Sequence, residues 1–266
     1  MPQTAFTTFH ALHFANTPLL LPNAWDAASA RLLALDGAPA LATSSAALAW
    51  SLGYADGGAL PRAELMAAIR RIARVIDVPL SVDLEDGYSN QADEVADLVC
   101  EAQACGACGI NLEDGAASPE LLAQKIAAIR QALGATPLFI NARTDVYLAG
   151  LAQGDAAIAM SIARLQAYQA AGADGGFIPG LAHAAALAPI ASAVNMPLNL
   201  MMLPDMDSVN DLFAAGARRF TLGPALFQSV YGYGRAQVRR FMQQQDASDM
   251  FGHDLPYPWL NAAFQA

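Results

Sequence analysis

The sequence predicts an α/β fold, a single (β/α)8 barrel, from three observations. Short apolar runs alternate with stretches of helical apolar spacing about eight times along 266 residues. The runs are continuously apolar, as strands buried on both faces must be. No G-x-G-x-x-G follows the first run, which removes the open dinucleotide-binding sheet as the alternative. The length suits one such barrel.

Taken in order, the strand candidates are residues 19–23, 40–44, 80–85, 109–113, 138–143, 175–179, 198–203 and 218–223. Helical spacing covers 27–35, 63–76, 92–104, 120–133, 156–171, 184–193 and 209–215. Several helices stop at a glycine: Gly37, Gly106, Gly134, Gly172 and Gly216. "ALDGAPALA", "AQACGACGINL", "QAAGADGGFIP" and "FAAGARRFTLG" repeat one design of helix end, glycine, turn and strand. From residue 230 the pattern changes to a long polar helix, "YGYGRAQVRRFMQQQ", and then to a tail bearing Pro256, Tyr257, Pro258, Trp259 and Leu260. The expectation is one barrel domain over residues 1–266, with 230–266 as a C-terminal helical extension. Its apolar tail must be buried either on its own barrel or on a neighbouring subunit.

Composition narrows the function. Twenty-four acidic against 14 basic side chains give a net charge of −10, which repels phosphate backbones and anionic lipid. Nucleic acid and membrane are therefore not expected partners. Residues 1–21 lack the basic start of a signal peptide and no stretch is apolar enough to span a bilayer, so a cytoplasmic protein is expected. Cys100, Cys105 and Cys108 have the spacing of three ligands of a plant-type iron–sulfur centre, but a fourth cysteine does not exist. Reduced, buried thiols are the expectation.

In such barrels chemistry sits at the C-terminal ends of the strands. Asp26, Asp86 and Asp145 there have the type and position of helix caps, but the remaining polar residues are too many for capping. Asp83 and Glu85, two apart on one strand, point to one face, and Glu113 beside Asn111 does so on the next. Several carboxylates in one mouth cannot all ionise without a counter-charge. A hard divalent cation resolves this, Mg2+ or Mn2+, with Asp83 as direct ligand and the other acids holding its waters. Arg143 offers a planar fork for a substrate carboxylate, or a counter-ion for Glu113. Thr43, Ser44 and Ser45 offer hydroxyl and N–H donors to an anionic oxygen. Trp25 and Asn199 are placed to line the pocket, and Tyr54, Asp145 and His183 are candidate general acids. Together these groups suit a small 2-keto acid whose enolate is stabilised electrostatically.

"LPNAWDAASARLL", "ATSSAALAWSLGYADG", "VDLEDGY", "GINLEDG" and "FINARTDVYL" resemble the isocitrate lyase/phosphoenolpyruvate mutase superfamily in order and over nearly the whole barrel. The resemblance implies a Mg2+-dependent enzyme that makes or breaks a C–C or P–C bond next to an enolpyruvate. It also implies a homotetramer, a dimer of dimers with exchanged C-terminal helices. Position by position it implies keto-acid binding by Ser44 and Ser45, an outer metal-site acid at Asp56 and a metal ligand at Asp83. Glu85 and Glu113 would hold the waters of the metal, and Arg143 would bind substrate. The lyases of the superfamily carry a Lys-Lys-Cys-Gly-His loop after the position of Glu113; here the chain reads "EDGAASPELLAQK" and lacks that cysteine. The expected activity is decarboxylation or cleavage of a small oxaloacetate-like 2-keto or 2-hydroxy acid, with Arg143, Ser44 and Tyr54 as catalytic residues. The alternatives are a phosphonomutase or phosphonopyruvate hydrolase, a metal-dependent aldolase, and a non-catalytic metabolite-binding protein.

Overall fold

The computed structural model describes residues 2–115, 117–251 and 253–265. It comprises two units, Met1–Gly223 and Pro224–Ala266. Unit 1 is the barrel. Its strands are β1 (Leu19–Leu21), β2 (Asn23–Ala24), β3 (Leu41–Thr43), β4 (Leu80–Asp83), β5 (Gly109–Glu113), β6 (Phe139–Arg143), β7 (Gly175–Phe177), β8 (Leu198–Met201) and β9 (Ala217–Thr221). All pairings are parallel, in the order β1-β9-β8-β7-β6-β5-β4-β3-β2. The two ends of that order are halves of one strand broken at Pro22, which has no N–H to donate. The eight expected staves are therefore present.

Closure is completed by a side chain. Asn23 Oδ1 accepts from the backbone N–H groups of Leu222 and Gly223 at 2.8 and 3.0 Å, and its Nδ2 donates to the Thr43 carbonyl at 2.8 Å. One buried amide thus ties β2 to the ends of β9 and β3.

Around the strands lie α2 (Ala27–Leu35), α3 (Ser45–Ser51), α4 (Arg62–Ala73), α5 (Ala92–Ala104), α6 (Pro119–Leu133), α7 (Gly154–Ala171), α8 (Ala184–Ala193) and α9 (Val209–Ala214). Asp26 caps α2 in a reciprocal pair with Ser29, as its position predicts. Asp86 and Asp145 cap no helix: Asp86 Oδ1 accepts from the Tyr88 N–H, and Asp145 binds Arg143. Among the expected glycine stops, Gly106 and Gly216 have φ of +116° and +118°, and a Cβ would lie 2.7 and 2.3 Å from Ala73 and Ala191. Only glycine fits there.

Before β1, helix α1 (Pro2–His13) plugs the N-terminal end of the barrel. Phe9 is fully buried with Leu19, Leu21, Ala40, Ala42, Cys108 and Phe139, and its ring lies edge-on to Phe139. Cys105 and Cys108 are buried free thiols, and Cys108 sits in this plug, away from the strand ends that carry the chemistry.

Unit 2 consists of α10 (Ala225–Gln244), a 3-10 turn at Ser248–Met250 and α11 (Tyr257–Ala262). Arg240 pairs with Asp246 and Asp249. Among the described residues no helix is long and apolar enough to cross a membrane.

Candidate active site

Asp83 ends β4 and is held from two sides. Its N–H donates to Thr43 Oγ1 at 2.8 Å, and its Oδ2 accepts from the Ser45 N–H at 3.1 Å. Its second carboxylate oxygen, Oδ1, is buried with no hydrogen-bond partner. A buried carboxylate oxygen left unpaired is costly unless something absent from the protein chain meets it.

Glu85 does not extend the strand as its spacing suggests. β4 stops at Asp83, and Glu85 takes a left-handed φ of 52°, a conformation side chains rarely adopt. The turn still aims its carboxylate inward, where Oε1 accepts from the Tyr88 hydroxyl and Oε2 from the Gly58 N–H, both at 2.6 Å. Burial raises its pKa, these two bonds oppose the rise, and the charges of Asp56 and Asp83 add to it. Asp56 itself is exposed on the α3–α4 loop.

On the next strands Glu113 and Arg143 are register partners. Arg143 Nη1 lies 2.6 Å from Glu113 Oε2, while Nε and Nη2 donate to the two oxygens of Asp145 at 2.6 and 2.9 Å. Arg143 is thus paired with both Glu113 and Asp145, the counter-ion role its position allows, and these three contacts do not use all five of its N–H groups. Burial pushes the Glu113 carboxyl upward, Arg143 pulls it down, and the charges of Asp83, Asp145 and Glu85 push it further up. Asp83 is the register partner of Asn111, two residues before Glu113 on β5, so the three groups stand on adjacent strands at one end of the barrel.

Beneath them lies a polar floor. Asn111 Oδ1 accepts from Asn141 Nδ2 at 2.9 Å and from Arg219 Nη2 at 3.3 Å. Arg219 is completely buried, with Nε and Nη1 unpartnered, and burial pulls its pKa down to about 9 against the opposing charge of Asp83. Asn199, its register partner on β8, is buried with both amide atoms unpartnered.

The structure brings together Asp83, Glu85, Glu113 and Arg143 and gives other candidates different work. Ser44 Oγ caps α3 by accepting from the Ala47 N–H at 3.4 Å, and the Ser45 backbone N–H is occupied by Asp83, which leaves the two hydroxyl hydrogens as the donors these residues can offer an anion. Tyr54 donates to Glu64 at 2.9 Å on the surface. Asp145 is committed to Arg143. His183 is an exposed residue at the start of α8, 3.4 Å from Asp207. Trp25 is buried directly after β2. Sequence reasoning missed Tyr88, Asp114 and Arg219. Tyr88 and Asp114 lay inside quoted motifs, whereas Arg219 follows Arg218 in a run that otherwise reads as a plain buried strand.

Among the described residues no three of His, Cys, Asp and Glu close around one point as the ligands of a fully protein-bound ion would. A hard cation that keeps most of its waters and takes one carboxylate directly does not need them to. The all-oxygen donor set and the free Asp83 Oδ1 fit such an ion.

The barrel and its mouth define an α/β-barrel enzyme of the lyase and mutase type. Residues 9–242 match the model of the phosphoenolpyruvate phosphomutase family, and the chain belongs to that family, within the phosphoenolpyruvate mutase/isocitrate lyase superfamily. An uncharacterised protein of Mycobacterium tuberculosis is 32% identical over 259 residues, 96% of this chain and 95% of that one. An oxaloacetate decarboxylase of a Bradyrhizobium strain is 34% identical over 187 residues, 66% of this chain and 62% of the relative. The crystal structure of a provisionally named phosphonomutase from Burkholderia cenocepacia superposes with a TM-score of 0.85 at 36% identity, covering 90% of this chain and 99% of that one. A 2,3-dimethylmalate lyase of the superfamily shares the fold, with a TM-score of 0.84 at 22% identity over 97% and 94% of the two chains.

Proposed function

We propose that the protein is a Mg2+-dependent lyase that decarboxylates or cleaves a small 2-keto acid of the oxaloacetate type through a pyruvate enolate. The observation that carries this reading is the buried, unpartnered Oδ1 of Asp83 at the same strand ends as Glu113 and Arg143. Asp83 would hold the cation directly, with Glu85, Glu113 and Asp56 holding its waters. When bound, the ion supplies positive charge where the enolate oxygen becomes negative.

The rest of the work belongs to the chain. Arg143 grips the substrate carboxylate through its Nη1/Nη2 edge, and Asp145 and Glu113 hold the guanidinium plane so that little orientation is lost on binding. The amide of Asn199 has donor and acceptor both unspent for the polar end of the substrate. As the C–C bond breaks, its electron pair moves into the enolate, CO2 leaves, and water supplies the proton that yields pyruvate. No cysteine is required at the mouth. The relatives that bear the name oxaloacetate decarboxylase support this choice. The similarity to the phosphonomutase structure favours a second reading, P–C bond chemistry on the same site. Its reduced thiols suit the cytoplasm, where we place it.

Pyruvate formation from oxaloacetate, measured with Mg2+ and with a chelator, tests the reading. Metal-dependent turnover that falls at least about 100-fold in Asp83→Asn and in Arg143→Ala is expected. Oxalate binding without turnover of oxaloacetate, but with turnover of phosphonopyruvate, would transfer the assignment to P–C chemistry.

A further inference from the structure

The carboxylate that orients Arg143 is itself held in place from a helix on the outside of the barrel. Asp114, immediately after β5, is buried and reaches both sides of the Arg143–Asp145 segment. Its N–H donates to the Arg143 carbonyl at 3.2 Å, and its Oδ1 accepts from the Asp145 N–H at 2.9 Å. Asp145 in turn holds the Arg143 guanidinium through two hydrogen bonds. The other oxygen of Asp114 accepts from Arg164 Nη1 at 2.7 Å and from the Tyr168 hydroxyl at 2.6 Å. Arg164 and Tyr168 are four apart on α7, so they share one face of that helix. Tyr168 is completely buried, and burial with the Asp114 charge raises its pKa, so its hydroxyl stays a donor.

We propose that Arg164 and Tyr168 are positioning residues for the substrate-binding arginine, acting through Asp114 and Asp145. The inference rests on the reading of Arg143 as the carboxylate grip. No hydrogen bond joins Asp114 to Asp83, the proposed direct metal ligand, so the relay acts first on the arginine and reaches the metal side only through the Arg143–Glu113 pair. A buried carboxylate that loses one of two donors on the same oxygen shifts toward the one that remains, and the peptide on its other oxygen shifts with it. The guanidinium two bonds further on then loses the alignment on which bidentate recognition depends.

The test is calorimetric titration of the full-length protein with MgCl2, and of the Mg2+-loaded protein with oxalate, for Tyr168→Phe, Arg164→Met and Arg164→Lys. Tyr168→Phe and Arg164→Met are expected to weaken oxalate binding roughly five- to fiftyfold while Mg2+ affinity stays within about twofold, and Arg164→Lys is expected to restore most of the loss. Unchanged oxalate affinity in folded Tyr168→Phe overturns the proposal. So does loss of Mg2+ and oxalate binding in equal proportion, which marks a purely structural role. If the parent binds no oxalate, or if Arg143→Ala binds it as the parent does, the carboxylate-grip reading itself has failed and not the relay alone.

Discussion

Two residues show how burial turns into measurable behaviour. His13 is buried in the plug, its ring stacked on Phe139 at 4.2 Å and its Nδ1 2.8 Å from the Phe9 carbonyl. Burial, reinforced by the Arg219 charge, pulls its pKa from 6.5 down to about 3. The folded protein therefore refuses a proton that the unfolded chain accepts. Its contribution to stability is complete above pH 6.5 and is lost as pH falls toward 3, by up to roughly 5 kcal/mol. Urea denaturation between pH 7 and pH 4 is expected to show this slope, and His13→Phe, which keeps the ring stack, is expected to flatten it; an unaltered slope would remove His13 as its source. At the mouth, Asp83→Asn keeps the bonds to Thr43 and Ser45 within reach but replaces an anionic oxygen with a neutral amide. Mg2+ binding by calorimetry is expected to weaken at least about tenfold with the melting temperature of the metal-free protein little changed. Asp83, Glu113 and Arg143 were legible because strand-end polarity and two-residue spacing are local signals. Arg219 and the Asp114 relay were not, since only closure of the barrel brings the Arg219 side chain of β9 across the interior to Ser81 on β4 and Asn111 on β5, or α7 beside Asp114.

At the scale of elements the helices and strands followed from period and glycine stops, and β5, α2, α5 and α8 fall on the expected residues. Two elements were not predicted. The composition of α1 shows only that it lacks a targeting signal, and its role as a plug depends on an interior that exists only after closure. α3 is a short run of alanine, serine, leucine and tryptophan without a clear apolar period, and Ser44, which reads as part of the turn entering it, is its N-cap. The plug explains a glycine inside a strand. A Cβ on Gly109 would lie 2.7 Å from Phe9 Cε1 and 3.4 Å from Phe139 Cβ. Gly109→Ala must displace the Phe9 ring in a close-packed interior, at a cost of about 1–3 kcal/mol. Denaturant unfolding should show that loss in Gly109→Ala and recover part of it in the double variant Gly109→Ala/Phe9→Leu. Equal losses in the two variants would mean that the contact is not the cause.

For the whole molecule, the question is how many copies of the chain the barrel needs. Taken alone, unit 1 leaves an apolar groove of about 560 Å3 on the outer face of β1 and β9, lined by Leu20, Leu33, Pro39, Met202, Val209 and Leu222. Leu20 is 56% exposed, unusual for a strand residue in a parallel barrel, whose outer face is normally covered by helix. Unit 2, taken alone, exposes Val230, Val238, Phe241 and Met242 on α10 at spacings that gather them toward one side. Surfaces of this kind are uncommon on a monomer. We propose that they are covered between copies, in the homotetramer that the sequence resemblance implies. Light scattering coupled to gel filtration is expected to give four times the chain mass. Leu20→Glu, which places a charge in the groove and touches none of the mouth residues, is expected to yield smaller species that still bind Mg2+. A parent that remains monomeric at every concentration would leave the groove without its proposed occupant. A tetramer indifferent to Leu20→Glu would show that the copies meet elsewhere.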